Sequence, residues 1–137
     1  MLNQNTRGKG ENRKMEFKKE KEGKKPTVFL VQENPYINVL SAQEYGDIVL
    51  LFESGQQIMF SPQPAIKKLR RKLKDFDDND YLLMMGDPAA MGIACCIASD
   101  MNRGKFKILK WDKIQKKYYS VSVNINEKGE IDEHDKL

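Results

Sequence analysis

Apolar residues along this chain fall into short blocks of two kinds, some alternating or continuous over five or six positions and some spaced for a helix. Thr27–Gln32 (TVFLVQ) is β-branched and apolar and reads as a strand. Glu33-Asn34-Pro35 is turn chemistry, after which Tyr36–Leu40 (YINVL) resumes an alternating strand pattern. Asp47–Phe52 (DIVLLF) is nearly continuous, as expected of a strand covered on both faces. Glu53-Ser54-Gly55-Gln56 should reverse the chain and return Gln57–Phe60 antiparallel as a hairpin.

The period then changes. Ser61-Pro62-Gln63-Pro64 opens a helix, with Ser61 or Gln63 near the cap and Pro64 in the first turn. Ala65, Ile66, Leu69, Leu73 and Phe76 form its apolar stripe, and the opposite face carries Lys67, Lys68, Arg70, Arg71, Lys72 and Lys74. Asp75, Asp77, Asp78 and Asp80 follow at once and belong beyond the helix end, because carboxylates disfavour a helix C-terminus. Tyr81–Met85 (YLLMM) is apolar throughout and reads as an interior strand. Gly86-Asp87-Pro88 makes a corner into a helix, with glycine for the bend, Asp87 as cap and Pro88 first in the helix. Ala89–Met101 is apolar on nearly every side, so the rest of the folded chain should cover it. Its small residues, Gly92 among them, suit close approach to a sheet, and Gly104 fits its C-terminal cap.

Lys105–Trp111 (KFKILKW) is a strand with Phe106 and Ile108 on one face and Lys105 and Lys107 on the other. Tyr118–Ile125 (YYSVSVNI) alternates, with Tyr119, Val121, Val123 and Ile125 expected inward and Tyr118, Ser120, Ser122 and Asn124 outward. The two pair across the lysine-rich turn Asp112–Lys117, while Tyr81–Met85, Ala89–Met101 and Lys105–Trp111 form a right-handed parallel crossover. The fold class that follows is α+β: a single mixed, mostly antiparallel sheet of about six strands with two helices packed on it.

Length and charge refine this picture. The chain has 137 residues, enough for one domain with a modest core. Residues 1–25 hold nine Lys/Arg against four Glu and few apolar side chains, so they read as a disordered basic tail. The compact domain is expected over 26–126, and 127–137 is polar, acidic and expected to fray. The tail is thus +5 and the remainder −1 within a net charge of +4, so the basic character is mainly that of the tail. No apolar run approaches the ~20 residues of a membrane helix, and the start lacks a signal-peptide core, so a soluble intracellular protein is expected. Adjacent Cys95 and Cys96 point about 100° apart on a helix, which suits buried, reduced packing cysteines better than a disulfide. The only histidine, His134, lies in the polar tail.

Candidate chemistry is sparse. Gly86-Asp87-Pro88 sits where phosphate loops sit, but it lacks their glycines and lysine, and Asp87 would repel an anion, so it reads as a structural corner. The four aspartates lack the ligand order, central glycine and closing glutamate of a calcium loop, so they read as a solvated linker. No histidine lies in the expected fold and no cysteine has a base partner in sequence. The expectation is no enzyme, no cofactor and no metal site. The basic helix is the strongest functional candidate, with a solvated helix face as the competing reading. Lys105, Lys107, Lys110, Lys113, Lys116 and Lys117 interleaved with Trp111 and Tyr118 on the last hairpin give a weaker suggestion of single-strand stacking, with Trp111 and Tyr119 as core residues the competing reading.

The runs GDIVLLFESGQQIMFSPQPAIKKLRRKLKDF, DYLLMMGDPAAMGIACCIASDMNRGKFKILKWD and YYSVSVNI, between Tyr45 and Ile125, resemble a type of small protein of unassigned function encoded by tailed bacteriophages. The resemblance implies a phage gene product acting in the cytoplasm of an infected bacterium, or carried in the virion. It brings no functional residues with it. Two kinds of partner fit these readings. The first is the phosphate backbone of DNA or RNA, met by Arg7, Lys9, Arg13, Lys14, Lys18 and Lys19 of the tail and by Lys67, Lys68, Arg70, Arg71 and Lys74 of the helix. The second is a phage or host protein, including the case of a self-assembling homo-oligomer, with no membrane partner.

Overall fold

A computed structural model describes residues 25–56, 58 and 61–128. The basic tail, with all six of its candidate phosphate contacts, lies outside the described residues. So do Gln57, Met59 and Phe60 and the acidic end from residue 129. The strands are β1 (Thr27–Gln32), β2 (Asp47–Phe52), β3 (Tyr81–Leu83), β4 (Lys105–Asp112) and β5 (Lys117–Asn124). The helices are α1 (Gln63–Lys72) and α2 (Pro88–Met101), with a 3-10 helix at Leu40–Glu44 between β1 and β2. One sheet runs in the order β2-β1-β3-β4-β5. The α+β class, the mixed sheet and its two helices are as expected from the sequence, with five strands rather than about six.

Parallel pairing dominates more than the sequence suggested. β1 lies between β2 and β3, parallel to both, and β3 is parallel to β4; only β4 and β5 are antiparallel. From β1 the chain steps sideways to β2, then back across β1 to β3 and on to β4. Connections of one hand that step in opposite directions must lie on opposite faces of the sheet. Accordingly α1 and α2 share one face, where Phe29, Val31, Leu51 and Leu82 meet Leu69, Leu73, Ala94 and Ile97. On the other face the 3-10 segment brings Ala42 and Tyr45 onto Val28, Leu30, Leu83, Leu109 and Tyr118. Each fully buried Leu or Val in these layers contributes roughly 1.5–3 kcal/mol.

Several expectations need correction. Tyr36–Leu40 is no strand: the Asn34 and Asn38 side chains accept from Tyr36 N–H and Leu40 N–H and curl the backbone into turns. Tyr36 is left 94% exposed there. Of the expected return strand Gln57–Phe60 only Ile58 is described, and it belongs to no strand. β2 is an edge strand with Asp47 and Val49 exposed, and only Leu51 and Phe52 are buried. α1 is capped by Pro62 without a side-chain bond. Asp87 caps α2 as expected, accepting from Ala90 N–H at 3.1 Å. At the other end of α2 the cap residue is Asn102, and Gly104 N–H closes on Ser99 C=O at 2.7 Å.

α2 is not enclosed on every side. Ala89, Gly92 and Cys96 are exposed, and a Cβ added at Gly92 would meet nothing within 4 Å. Close packing therefore does not explain that glycine. Cys95 alone is half-buried, its thiol 3.9 Å from Met84 Sδ, and burial, then the neighbouring Cys96, pushes its pKa up. The expected β5 alternation fails at Tyr118, Tyr119 and Val121, while Ser120 and Ser122 are exposed as expected. Tyr118 is 3% exposed beneath the 3-10 segment, whereas Tyr119 and Val121 on the helix face are each 38% exposed. β5 lies at the sheet's edge, beyond the cover of the helices, and Tyr45 donates from its hydroxyl to the Tyr118 carbonyl on the other face.

One of the four linker aspartates is interior. Asp80 is 4% exposed, and its two carboxylate oxygens accept from Thr27 N–H and Asp77 N–H, each at 3.0 Å. Asp80→Ala strands the Thr27 donor at the start of β1, and a loss of about 2 kcal/mol is expected in urea unfolding. Gly92→Ala should instead raise stability by up to about 1 kcal/mol, read as a higher thermal midpoint, because helix propensity improves where nothing obstructs the methyl group.

Candidate interaction surfaces

In sheets of this kind the crevice beyond the carboxyl ends of adjacent strands whose connections leave to opposite faces is where small ligands sit. Here that place lies beyond β1 and β3, and it is filled by the chain itself. Gln32 closes β1 and is 5% exposed. Its amide nitrogen donates to the carbonyls of Glu53 and Gln56, and its amide oxygen accepts from Asp87 N–H at 2.6 Å. Gly86 makes this possible: its φ is +106°, and a Cβ there would lie 2.3 Å from Gln32 Cβ. The Asp87 carboxylate is committed to capping α2. Gly86-Asp87-Pro88 is thus the structural corner its composition suggested.

The basic helix divides its cations between two tasks. Lys72 Nζ donates to the Leu50 carbonyl at 2.8 Å, on the open side of edge strand β2. Its pKa is lowered, first by desolvation and then by Lys68 and Arg71, against a raising influence from Glu53. Lys68 Nζ sits 5.1 Å from the centre of the Phe52 ring, and Arg70 pairs with Asp100 of α2 at 2.8 Å. Lys67, Arg71 and Lys74 remain exposed at successive turns of one stripe, which runs past the end of α1. The sequence-derived helix residues are therefore brought onto one element, but Lys68 and Arg70 also serve the packing of α1.

The pleat divides the cation–aromatic run of the last hairpin between two faces and keeps Trp111 and Tyr118 together on one of them. Trp111 stands opposite Tyr118, their rings 4.9 Å apart and edge-on, while Lys110 stands opposite Tyr119 on the other face. Lys107 Nζ lies 4.1 Å from the centre of the Tyr81 ring. Trp111 and Tyr118 share a face, but Tyr118 is buried, so of the two only Trp111 offers ring surface to solvent. Among the described residues, no group of three or more His, Cys, Asp or Glu side chains is placed to hold a metal ion. Nor is any described helix long and apolar enough to cross a membrane.

Sequence reasoning passed over Gln32 and Asp80. The available signal was local for each: a polar amide ending an otherwise apolar strand, and an aspartate directly before another apolar strand. Gln32→Ala leaves the Asp87 donor and two carbonyls without this partner. It should cost about 2 kcal/mol and make segment 53–58 more susceptible to limited proteolysis.

Comparison with curated proteins and with solved structures gives no match. The sequence model of one family, described as Phage Pam3 gp32-like protein, matches residues 26–125, which include every strand and helix described above. By that match the chain belongs to the phage Pam3 gp32-like protein family.

Proposed function

We propose that this phage-family protein acts by binding rather than by covalent chemistry, as a nucleic-acid-associated accessory protein in the cytoplasm of the infected host. The observation that carries the reading is the exposed stripe Lys67, Arg71 and Lys74, flanked by the half-exposed Lys68 and Arg70. Exposed ammonium and guanidinium groups at helical spacing fit a phosphate backbone, with little preference for sequence. The tail cations Arg7, Lys9, Arg13, Lys14, Lys18 and Lys19 extend the same chemistry from the other end of the chain. Commitment of Gln32 and Asp87 to structural bonds supports binding over catalysis at the sheet's carboxyl end. A second reading, a phage or host protein as partner, is favoured by one feature: the uncovered face of β5 with Tyr119 and Val121.

The test is fluorescence anisotropy of the full chain with labelled single- and double-stranded DNA and RNA, across about 50 to 200 mM salt. Duplex affinity should fall steeply over that range. Changing Lys67, Arg71 and Lys74 together to Gln should reduce the slope of log affinity against log salt by about three. No binding by the full chain at low salt would reject the phosphate reading and leave the protein partner.

A further inference from the structure

Turn residues are ordinarily small or polar, and the tip of the β4–β5 hairpin departs from that in two ways. Its apex carries Ile114, which is 92% exposed. Lys116 holds a φ of +53°, a left-handed backbone that glycine or asparagine adopts with less strain. The turn is nevertheless fixed. Asp112 Oδ1 accepts from Ile114 N–H at 2.9 Å and from Gln115 N–H at 3.2 Å, which holds the apex in place. Departures from local preference that the surrounding bonds enforce are where a function is to be sought.

The tip projects beyond the strand beside it. Leu109 is the last β4 residue paired with β3, while the β4–β5 ladder continues with Lys110 opposite Tyr119, Trp111 opposite Tyr118 and Asp112 opposite Lys117. These further pairs carry the turn roughly 10 Å past the β3 pairing. Lys110, Lys113, Lys116 and Lys117 are all exposed along the projection. Asp112 is the one acid between Lys110 and Asn126, and its carboxylate is engaged in the turn. An aliphatic apex therefore stands between cations, Lys113 before it and Lys116 after it.

We infer that this tip is a wedge for double-stranded DNA. Ile114 enters between neighbouring base pairs from the minor groove, Lys113 and Lys116 rest on the phosphates of its two rims, and the duplex kinks at the parted step. The narrow minor groove of B-form DNA brings both rims within reach of one turn, whereas the minor groove of an RNA duplex is wide and shallow. The size of the apolar group selects a duplex over a bilayer. One aliphatic side chain is enough to part a base step, but an anchor in lipid needs a larger apolar face. The next apolar group behind Ile114, Trp111, is set back and 43% exposed, its ring packed edge-on against Tyr118. The inference rests on the phosphate-backbone reading and adds to it a second contact, on a different element from α1, and a deformation of the ligand.

Förster transfer between dyes at the two ends of a DNA duplex of about 25 base pairs, measured with the full chain at about 50 mM salt, tests it. Transfer should rise on binding, and rise more for a central TA step, which unstacks readily, than for a central A-tract. Ile114→Gln should remove most of the rise, with an unchanged circular dichroism spectrum and an unchanged salt slope of binding, because no phosphate contact is lost. Ile114→Leu should retain the rise. Lys113→Gln combined with Lys116→Gln should instead lower the salt slope by about two. Binding with no rise in transfer, or a rise indifferent to Ile114→Gln, overturns the wedge and leaves the phosphate reading standing. No binding to the duplex overturns both. Binding that needs Ile114 but goes to vesicles of phosphatidylglycerol and phosphatidylcholine in equal parts, and not to the duplex, overturns the wedge in favour of a lipid surface.

Discussion

β1 is the strand on which the other elements depend, and buried polar side chains fasten it at both ends. At its start Asp80 reaches back from the turn before β3 to take the Thr27 amide. At its end Gln32 ties the connection after β2 to the corner that begins α2. Between these points every residue is buried, Val28 and Leu30 under the 3-10 segment and Phe29 and Val31 under the helices. A strand covered on both faces and flanked on both sides has no route to water for its backbone. Its terminal groups must be met by side chains from elsewhere. Asp80 and Gln32 answer that need, and their bonds fix where β2, β3 and α2 stand.

The fold was legible where apolar pattern and burial agree. Thr27–Gln32 and Asp47–Phe52 have the strand limits that their β-branched runs indicate, and Asp87-Pro88 opens α2 as capping chemistry requires. Reading failed where a residue's surroundings come from distant chain. Tyr36–Leu40 has a strand's composition, but two asparagines capture its amides locally. The side of β5 that faces inward depends on which face the 3-10 segment covers, and alternation alone is symmetric between the two. The apolar circumference of α2 argues for an interior Cys96 and Gly92, yet two short helices leave one stripe of it in water. Of the candidate site, the basic face of α1 was visible as composition. Its division into packing cations and exposed cations was not, because Asp100, Phe52 and the Leu50 carbonyl come together only in three dimensions.

The same helix shows how one run of charge can serve two ends. Lys72 guards an edge strand and Arg70 joins the two helices, tasks that require position as well as charge. Lys67, Arg71 and Lys74 stand exposed along the helix and just beyond it. Counting basic residues along α1 therefore overstates the cations it leaves free, since Lys72 and Arg70 are engaged within the fold.

The central position of β1 also has a bearing on how the chain must be made. It is the first strand of the domain to leave the ribosome, yet its neighbours are β2 and, much later, β3. Only β4 and β5 can pair as a local hairpin; the parallel pairings each wait for a crossover to close. During synthesis the VFLV segment is therefore an apolar strand without its second neighbour until Tyr81–Leu83 has emerged. Such a segment invites wrong pairing, and lysines immediately before it act as gatekeepers. Lys24 and Lys25, with Pro26 between them and the strand, stand at that position. Charge and a proline ahead of an apolar strand are the composition that disfavours its pairing with other copies of itself.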